Sequence, residues 1–244
     1  DAEALALRAH APCRVVTYGF SDDADWHISH SADDGRRQRF GIERDGAAAA
    51  SVRLTFPGKH NAANATAALI LAVEAGAAED VAIKACADFR GPARRFEVLG
   101  DAAGVTVVDD YAHHPTEVAA ALAAARQRFG SRRLLAVHTP HTYSRTRTLL
   151  ESYRDSFSDA DVAVIGPIEE ARERGQPRSV SSEEVAARVA PTHDVHVVAS
   201  SDEAIAVLAR LARDGDVIVV LSLGGFDKLA PRLLGALSQA GAHV

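Results

Sequence analysis

Residues 105–118 read Val-Thr-Val-Val-Asp-Asp-Tyr-Ala-His-His-Pro-Thr-Glu-Val. The first four residues are apolar or β-branched on both faces, the pattern of a strand buried in a parallel sheet. Pro115 suits the first turn of a helix, Thr116 and Glu117 add polarity that favours a helix N-terminus, and the Ala-rich run 119–125 carries the helix on. Strand, short turn and helix in that order put Asp109 to His114 on the carboxyl edge of a sheet. Open α/β sheets bind ligands at that edge.

Working outward, the pattern repeats. VTVVDD (105–110), RLLAVH (133–138), DVAVIG (161–166), DVHVVA (194–199) and DVIVVLSLG (216–224) alternate with helical stretches at 115–129, 144–157, 181–190 and 201–215. Apolar strands alternating with amphipathic helices predict a doubly wound α/β domain, its parallel sheet covered on both sides. Upstream, CRVVTYGF (13–20), DWHISH (25–30), QRFGIE (38–43) and SVRLTF (51–56) are short β-prone runs separated by Asp, Gly and Ser. After Phe56-Pro57-Gly58, residues 60–76 favour a helix with Ala63, Ala67, Ile70, Leu71 and Glu74 on one face, closing at Gly76; a second helix is expected over 79–88. Gly91-Pro92 breaks that helix and Arg94-Arg95-Phe96 begins the next element. The joint is therefore expected near 91–99, dividing the chain into domains 1–98 and 99–244.

With 244 residues, 47% of them hydrophobic, the chain can bury one large core or two modest ones. A net charge of −6 and an aromatic fraction of 5% argue against a nucleic-acid partner. Two cysteines, no signal peptide and no long apolar span fit a reduced, cytoplasmic setting away from membranes. The chain begins at Asp1 and contains no methionine, which reads as a piece of something longer. Lysine supplies three of the 27 basic residues, so arginine, with its forked geometry, does most of the anion recognition.

The strand ending at His138 runs into Thr139-Pro140-His141-Thr142-Tyr143-Ser144-Arg145-Thr146-Arg147, again at a carboxyl edge and again opening a helix. If the two strands are neighbours, two imidazole-bearing loops face each other with Arg145 and Arg147 beside them, suited to a carboxylate or phosphate. Each residue also has a plainer role: Asp109 or Asp110 capping the turn, His113 and His114 solvated, the arginines surface charges. A metal site built from Asp110, His113 or His114, His138 and His141 lacks any tight ligand spacing, and no metal ligand is assigned.

PGKHNAANATAAL (57–69), GPARRFEVLG (91–100), VVDDYAHHPTEV (107–118) and PHTYSRTRTLL (140–150), in this order and at these separations, resemble the Mur ligase family, and within it the members that join L-alanine to UDP-N-acetylmuramate. The likeness covers roughly residues 50–240. It implies three domains in the family protein: one for the UDP-sugar, a central one carrying an ATP P-loop, and a Rossmann-like one that closes over the site with a hinge near 91–99. This chain would be a partial central ATPase domain followed by a complete Rossmann-like C-terminal domain. No G-x-x-x-x-G-K-[ST] or G-x-x-G-K-[ST] occurs, since Gly58-Lys59 is followed by His60. The phosphate cradle and its hydroxyl ligand for Mg²⁺ would therefore come from the missing amino-terminal half, leaving the fragment alone inactive.

The resemblance also implies roles. ATP phosphorylates the muramate carboxylate and the amine of L-alanine attacks the acyl phosphate. His60 and Asn64 would contact the adenine, and Arg95 and Asp110 the ribose and phosphates of ATP. Tyr111, His113, Arg145 and Arg147 would receive the amino acid and the muramate end, with His113 and Arg145 at the chemistry; His114 would hold the turn. The plainer alternatives are that His60 and Asn61 cap their helix and that Arg94-Arg95 form a salt bridge at the joint. Two departures stand out: Thr142 occupies a position where the family often has arginine, and Gly224-Gly225-Phe226-Asp227 replaces G-A-G-D. They favour the rival readings of a non-catalytic module binding nucleotide or muramyl peptide; the related tripeptide-recycling ligase is a further alternative.

Overall fold

The computed structural model describes residues 5–33, 37–55, 58–89, 91, 93–175, 177–191, 193–224, 226 and 228–241. The chain divides into two compact units, Asp1–Arg90 and Gly91–Val244, so Arg94, Arg95 and Phe96 belong to the second.

In the first unit, β1 (Tyr18–Gly19), β2 (Trp26–Asp33), β3 (Gln38–Arg44) and β4 (Ala47–Leu54) form a four-stranded sheet in that order. Only β1 runs parallel to its neighbour; β2, β3 and β4 are antiparallel. Of the β-prone run 13–20 only the two residues of β1 pair, and Phe56 and Pro57 lie outside the described residues. Helices α1 (Lys59–Glu74) and α2 (Glu79–Asp88) follow. Trp26, Ile28, Phe40, Ile42, Val52 and Leu54 meet Ala62, Leu69 and Ile70 in one core. The buried face of α1 is thus Ala62, Thr66, Leu69 and Ile70, rotated from the expected one, and Leu71 is exposed. An alanine-rich helix has little contrast between its faces, so the large side chains at 69 and 70 and the available sheet surface decide the rotation.

The second unit contains β5 (Glu97–Ala102), β6 (Val105–Asp110), α3 (Pro115–Phe129), β7 (Leu134–His138), α4 (Tyr143–Thr148), α5 (Tyr153–Ser156), β8 (Val162–Ile165), α6 (Ser182–Val189), β9 (Asp194–Val197), α7 (Ser201–Leu211), β10 (Val217–Leu221) and α8 (Leu229–Gly241). The sheet order is β5-β6-β10-β7-β8-β9. All pairings are parallel except that of β5, an antiparallel edge strand the sequence pattern does not announce. Ala103 and Gly104, both with positive φ (48° and 74°), make the two-residue turn between β5 and β6.

Alternation along the strands builds two cores. In β10, Val217, Val219 and Leu221 face Val118, Leu122, Tyr153, Phe157 and Val185 on one side of the sheet. Ile218 and Val220 face Leu208, Leu229, Leu233 and Leu237 on the other. Each such side chain contributes about 1.5–3 kcal/mol by leaving water, so a change such as Val219→Asp would disrupt the whole layer. The helix expected over 144–157 is broken into α4, a 3-10 turn at Leu150–Ser152 and α5. The cause is local: the hydroxyls of Thr146 and Thr148 donate back to the carbonyls of Thr142 and Ser144, bending the ladder.

Candidate functional site

β6 ends at Asp110 and β7 ends at His138, and both residues lie in register with Leu221 of β10. The two strands are therefore not neighbours; β10 is threaded between them because its Val-Ile-Val-Val-Leu run is apolar on both faces and suits a central position. The loops leaving β6 and β7 nevertheless converge above the end of β10. The rings of His113 and His141 meet edge to face with centroids 5.7 Å apart.

On the acidic side, Asp110 is buried and both its oxygens are taken by backbone N–H groups, of Phe96 at 2.7 Å and Ala112 at 2.7 Å. Burial pushes its carboxyl up, against those hydrogen bonds and the charge of Arg95. Asp109 is also raised by burial, against the Arg94 guanidinium, whose Nε lies 3.1 Å from Oδ2. Arg94 donates further to the carbonyls of Ser222 and Leu223, so it is a structural tie within this unit. Arg95 is exposed, and the two guanidinium carbons lie 5.5 and 5.0 Å from the centroid of the Tyr111 ring.

Glu117 organises the turn. Its Oε2 accepts from the N–H of His113 at 3.0 Å and of His114 at 3.2 Å, while the His114 Nδ1 accepts from the N–H of Thr116, closing a capping box. Burial pushes the Glu117 carboxyl up, but the hydrogen bonds and the neighbouring positive charges outweigh it and leave a net lowering. His113 Nδ1 sits 3.2 Å from the Tyr111 carbonyl and 3.2 Å from Glu117, which fixes the ring's direction. His114 is thereby committed to the helix start.

On the basic side, Thr142 is buried with φ 63° and ψ 140°, a strained conformation for a β-branched residue. Its N–H donates to the Glu169 carbonyl at 2.8 Å and its own carbonyl accepts from Thr146, which starts α4 at Tyr143. Arg145 is half-buried and its guanidinium makes no hydrogen bond or ion pair with any described residue. Arg147, two residues on and so on another face of the helix, pairs instead with Glu184 at 3.0 Å and with the Ser179 carbonyl. The expected partnership of the two arginines is not formed. Ser144 is tied to Glu173 by both its N–H and its hydroxyl; the hydroxyl bond and the backbone donors hold the Glu173 carboxyl below its usual range.

His141 is half-buried and its Nδ1 has no partner. Burial holds its imidazole below the usual value, helped by Arg145, His113 and Arg172 and opposed by Glu169. His138 is withdrawn from the site: it is fully buried, Nδ1 faces the Leu221 carbonyl at 3.1 Å, and its pKa falls to about 4 through burial. Phe226 is buried, its ring 3.0 Å from where a side chain on Gly166 would begin, so the glycine makes room for it; Gly225 and Asp227 lie outside the described residues. His60 and Asn64 occupy the first turns of α1 in the other unit, four residues apart and on one face. Among the described residues no group of three His, Cys, Asp or Glu side chains is placed to hold a metal ion.

The sequence reading missed Glu169, Arg172 and Glu173. All three lie beyond the end of β8, and the rule that singled out the loops after β6 and β7 applies equally to the run Gly166-Pro167-Ile168-Glu169 that follows Ile165.

Two family models match this chain: the Mur ligase middle domain over residues 1–72, and the Mur ligase, glutamate ligase domain over residues 94–224. The UDP-N-acetylmuramate–L-alanine ligase of Roseiflexus sp. is 39% identical over 247 residues, covering 97% of this chain and 50% of that protein. Its counterpart in Chloroflexus aggregans is 44% identical over 193 residues, covering 79% and 41%. Among solved structures, a murein peptide ligase from Psychrobacter arcticus is 28% identical with a TM-score of 0.67, covering 91% of this chain and 46% of its own. The UDP-N-acetylmuramate-alanine ligase of Thermotoga maritima shares the fold at a TM-score of 0.76 and 20% identity, covering 92% and 48%. The chain spans about half the length of the curated relatives it matches. With one family model covering more than half of its residues and a second matching the preceding unit, the chain belongs to the Mur ligase family.

Proposed function

We propose that this chain forms the amino-acid-receiving half of an ATP-dependent ligase that joins L-alanine to UDP-N-acetylmuramate. A carboxylate is a poor acyl donor, so ATP first phosphorylates it and ADP leaves; the alanine amine then attacks the acyl carbon, the C–N bond forms, and phosphate leaves with the C–O bond electrons and takes up the proton that the amine sheds. The protein's share is orientation and charge stabilisation. In this reading the Arg145 guanidinium pairs the alanine carboxylate, while His113, His141 and Tyr111 wall the corner. Arg95 serves the nucleotide. Because the oxygens of Asp110 are committed to the N–H groups of Phe96 and Ala112, its part is to hold the turn from which Tyr111 projects. Among the described residues no group of side chains is placed to hold Mg²⁺.

The observation that carries this reading is Arg145, a half-buried cation without a described carboxylate partner whose charge acts on His141, the ring that meets His113 edge to face. Such a group is costly to keep unless a ligand's charge completes it. The names of the relatives give the chemistry its substrates. The test is a chimera in which this chain replaces the matching half of the Roseiflexus relative. L-alanine-dependent phosphate release with UDP-N-acetylmuramate is expected, and none with the free tripeptide in place of alanine. A folded chimera without alanine-dependent release would contradict the reading.

A further inference from the structure

Three buried side-chain atoms without a hydrogen-bond partner lie in the loops leaving β7 and β8: Thr139 Oγ1, His141 Nδ1 and Glu169 Oε1. The two loops are bound to each other. Glu169 N–H donates to the Pro140 carbonyl at 2.9 Å, Thr142 N–H donates to the Glu169 carbonyl at 2.8 Å, and His141 and Glu169 form a parallel bridge. The Glu169 charge acts on the His141 imidazole, and so does the Arg145 charge from α4. An unused carboxylate oxygen, an unused imidazole nitrogen and a guanidinium without a partner among the described residues therefore share one corner. Buried acceptors are normally satisfied, and those left open at a carboxyl edge call for a donor.

A carboxylate alone would engage Arg145 and leave the acceptors unpaired. An ammonium offers three N–H donors and no acceptor, which is the complement of these oxygen and nitrogen atoms. A molecule carrying both groups on one carbon, an α-amino acid, answers the guanidinium and the orphaned acceptors together. We propose that Glu169, with His141, is the seat of the incoming amino acid's ammonium group while Arg145 holds its carboxylate. Glu169 thereby selects amino acids over simple carboxylates. This rests on Arg145 being the carboxylate seat.

The experiment is a backbone and side-chain NMR titration of this chain with L-alanine and, separately, with propionate, which has the same carboxylate and no amine. The expected result is at least tenfold tighter binding of L-alanine. Glu169→Gln, which keeps shape and removes charge, brings L-alanine down to the propionate affinity without weakening propionate; Glu169→Asp retains a preference; Arg145→Ala loses both ligands. A Glu169→Gln protein that still prefers L-alanine, or a wild-type chain that does not, overturns the ammonium seat. In either case loss of propionate binding in Arg145→Ala leaves the carboxylate reading standing. A wild-type chain that binds neither ligand overturns both.

Discussion

His138 shows how a residue type that suggests chemistry can be used for packing. Its ring is packed against Tyr153 and Phe157, with centroids 5.6 and 6.0 Å away, and its Nδ1 serves the Leu221 carbonyl. Burial lowers its pKa from 6.5 to about 4, so the folded state resists protonation while the unfolded chain takes up a proton below pH 6.5. Stability that this imidazole contributes above pH 6.5 is therefore lost as pH falls towards 4. By linkage the loss is about 2 kcal/mol between pH 7 and pH 4.5. In urea unfolding at the two pH values, wild type should lose this increment relative to His138→Gln; an unchanged difference between the two proteins would show that His138 is not buried neutral. The carboxylates divide similarly. Asp109 and Asp110 are raised by burial, whereas Glu117 and Asp161 are lowered by the hydrogen bonds that outweigh it. The first pair gives no acid penalty on folding and the second does.

At the scale of elements, the start of α3 is where sequence and site meet. The capping box of His114 and Glu117 fixes both the helix and the backbone of His113. Glu117→Ala should cost about 1–2 kcal/mol through the lost cap and the stranded N–H groups, seen as a lowered urea midpoint; a shift too small to resolve would mean that water replaces the carboxylate at no loss. Much of this was legible in the chain: Pro115, Thr116 and Glu117 announce the helix, and the apolar runs announce five of the six strands of the second sheet. The position of β10 was not. Nothing local in Val-Ile-Val-Val-Leu says which pair of strands it separates, because sheet order is set by how helices cover the two faces. The break in the 144–157 helix was hidden too, since threonine hydroxyls bend a helix without interrupting its apolar period. Arg145 and Arg147 looked alike in sequence, and what separates them is the long-range partner Glu184.

The whole molecule places charge with restraint. The net charge is −6, and several arginines are spent on internal ties, among them Arg94 with Asp109, Arg126 with Asp161 and Arg133 with Asp216. No described helix is long and apolar enough to cross a membrane. Arg145 has no hydrogen-bond or ion-pair partner among the described residues whereas Arg147 is paired with Glu184, and the claim that Arg145 rather than Arg147 receives the substrate carboxylate can be tested in one comparison. In the chimeric ligase, steady-state kinetics with L-alanine should give a KM raised by roughly a hundredfold for Arg145→Ala, the scale of a lost charge-assisted bidentate pair. Arg147→Ala should stay within about threefold of wild type, as expected for an exposed ion pair. Equal losses in the two variants, or a larger loss at Arg147, would contradict the account.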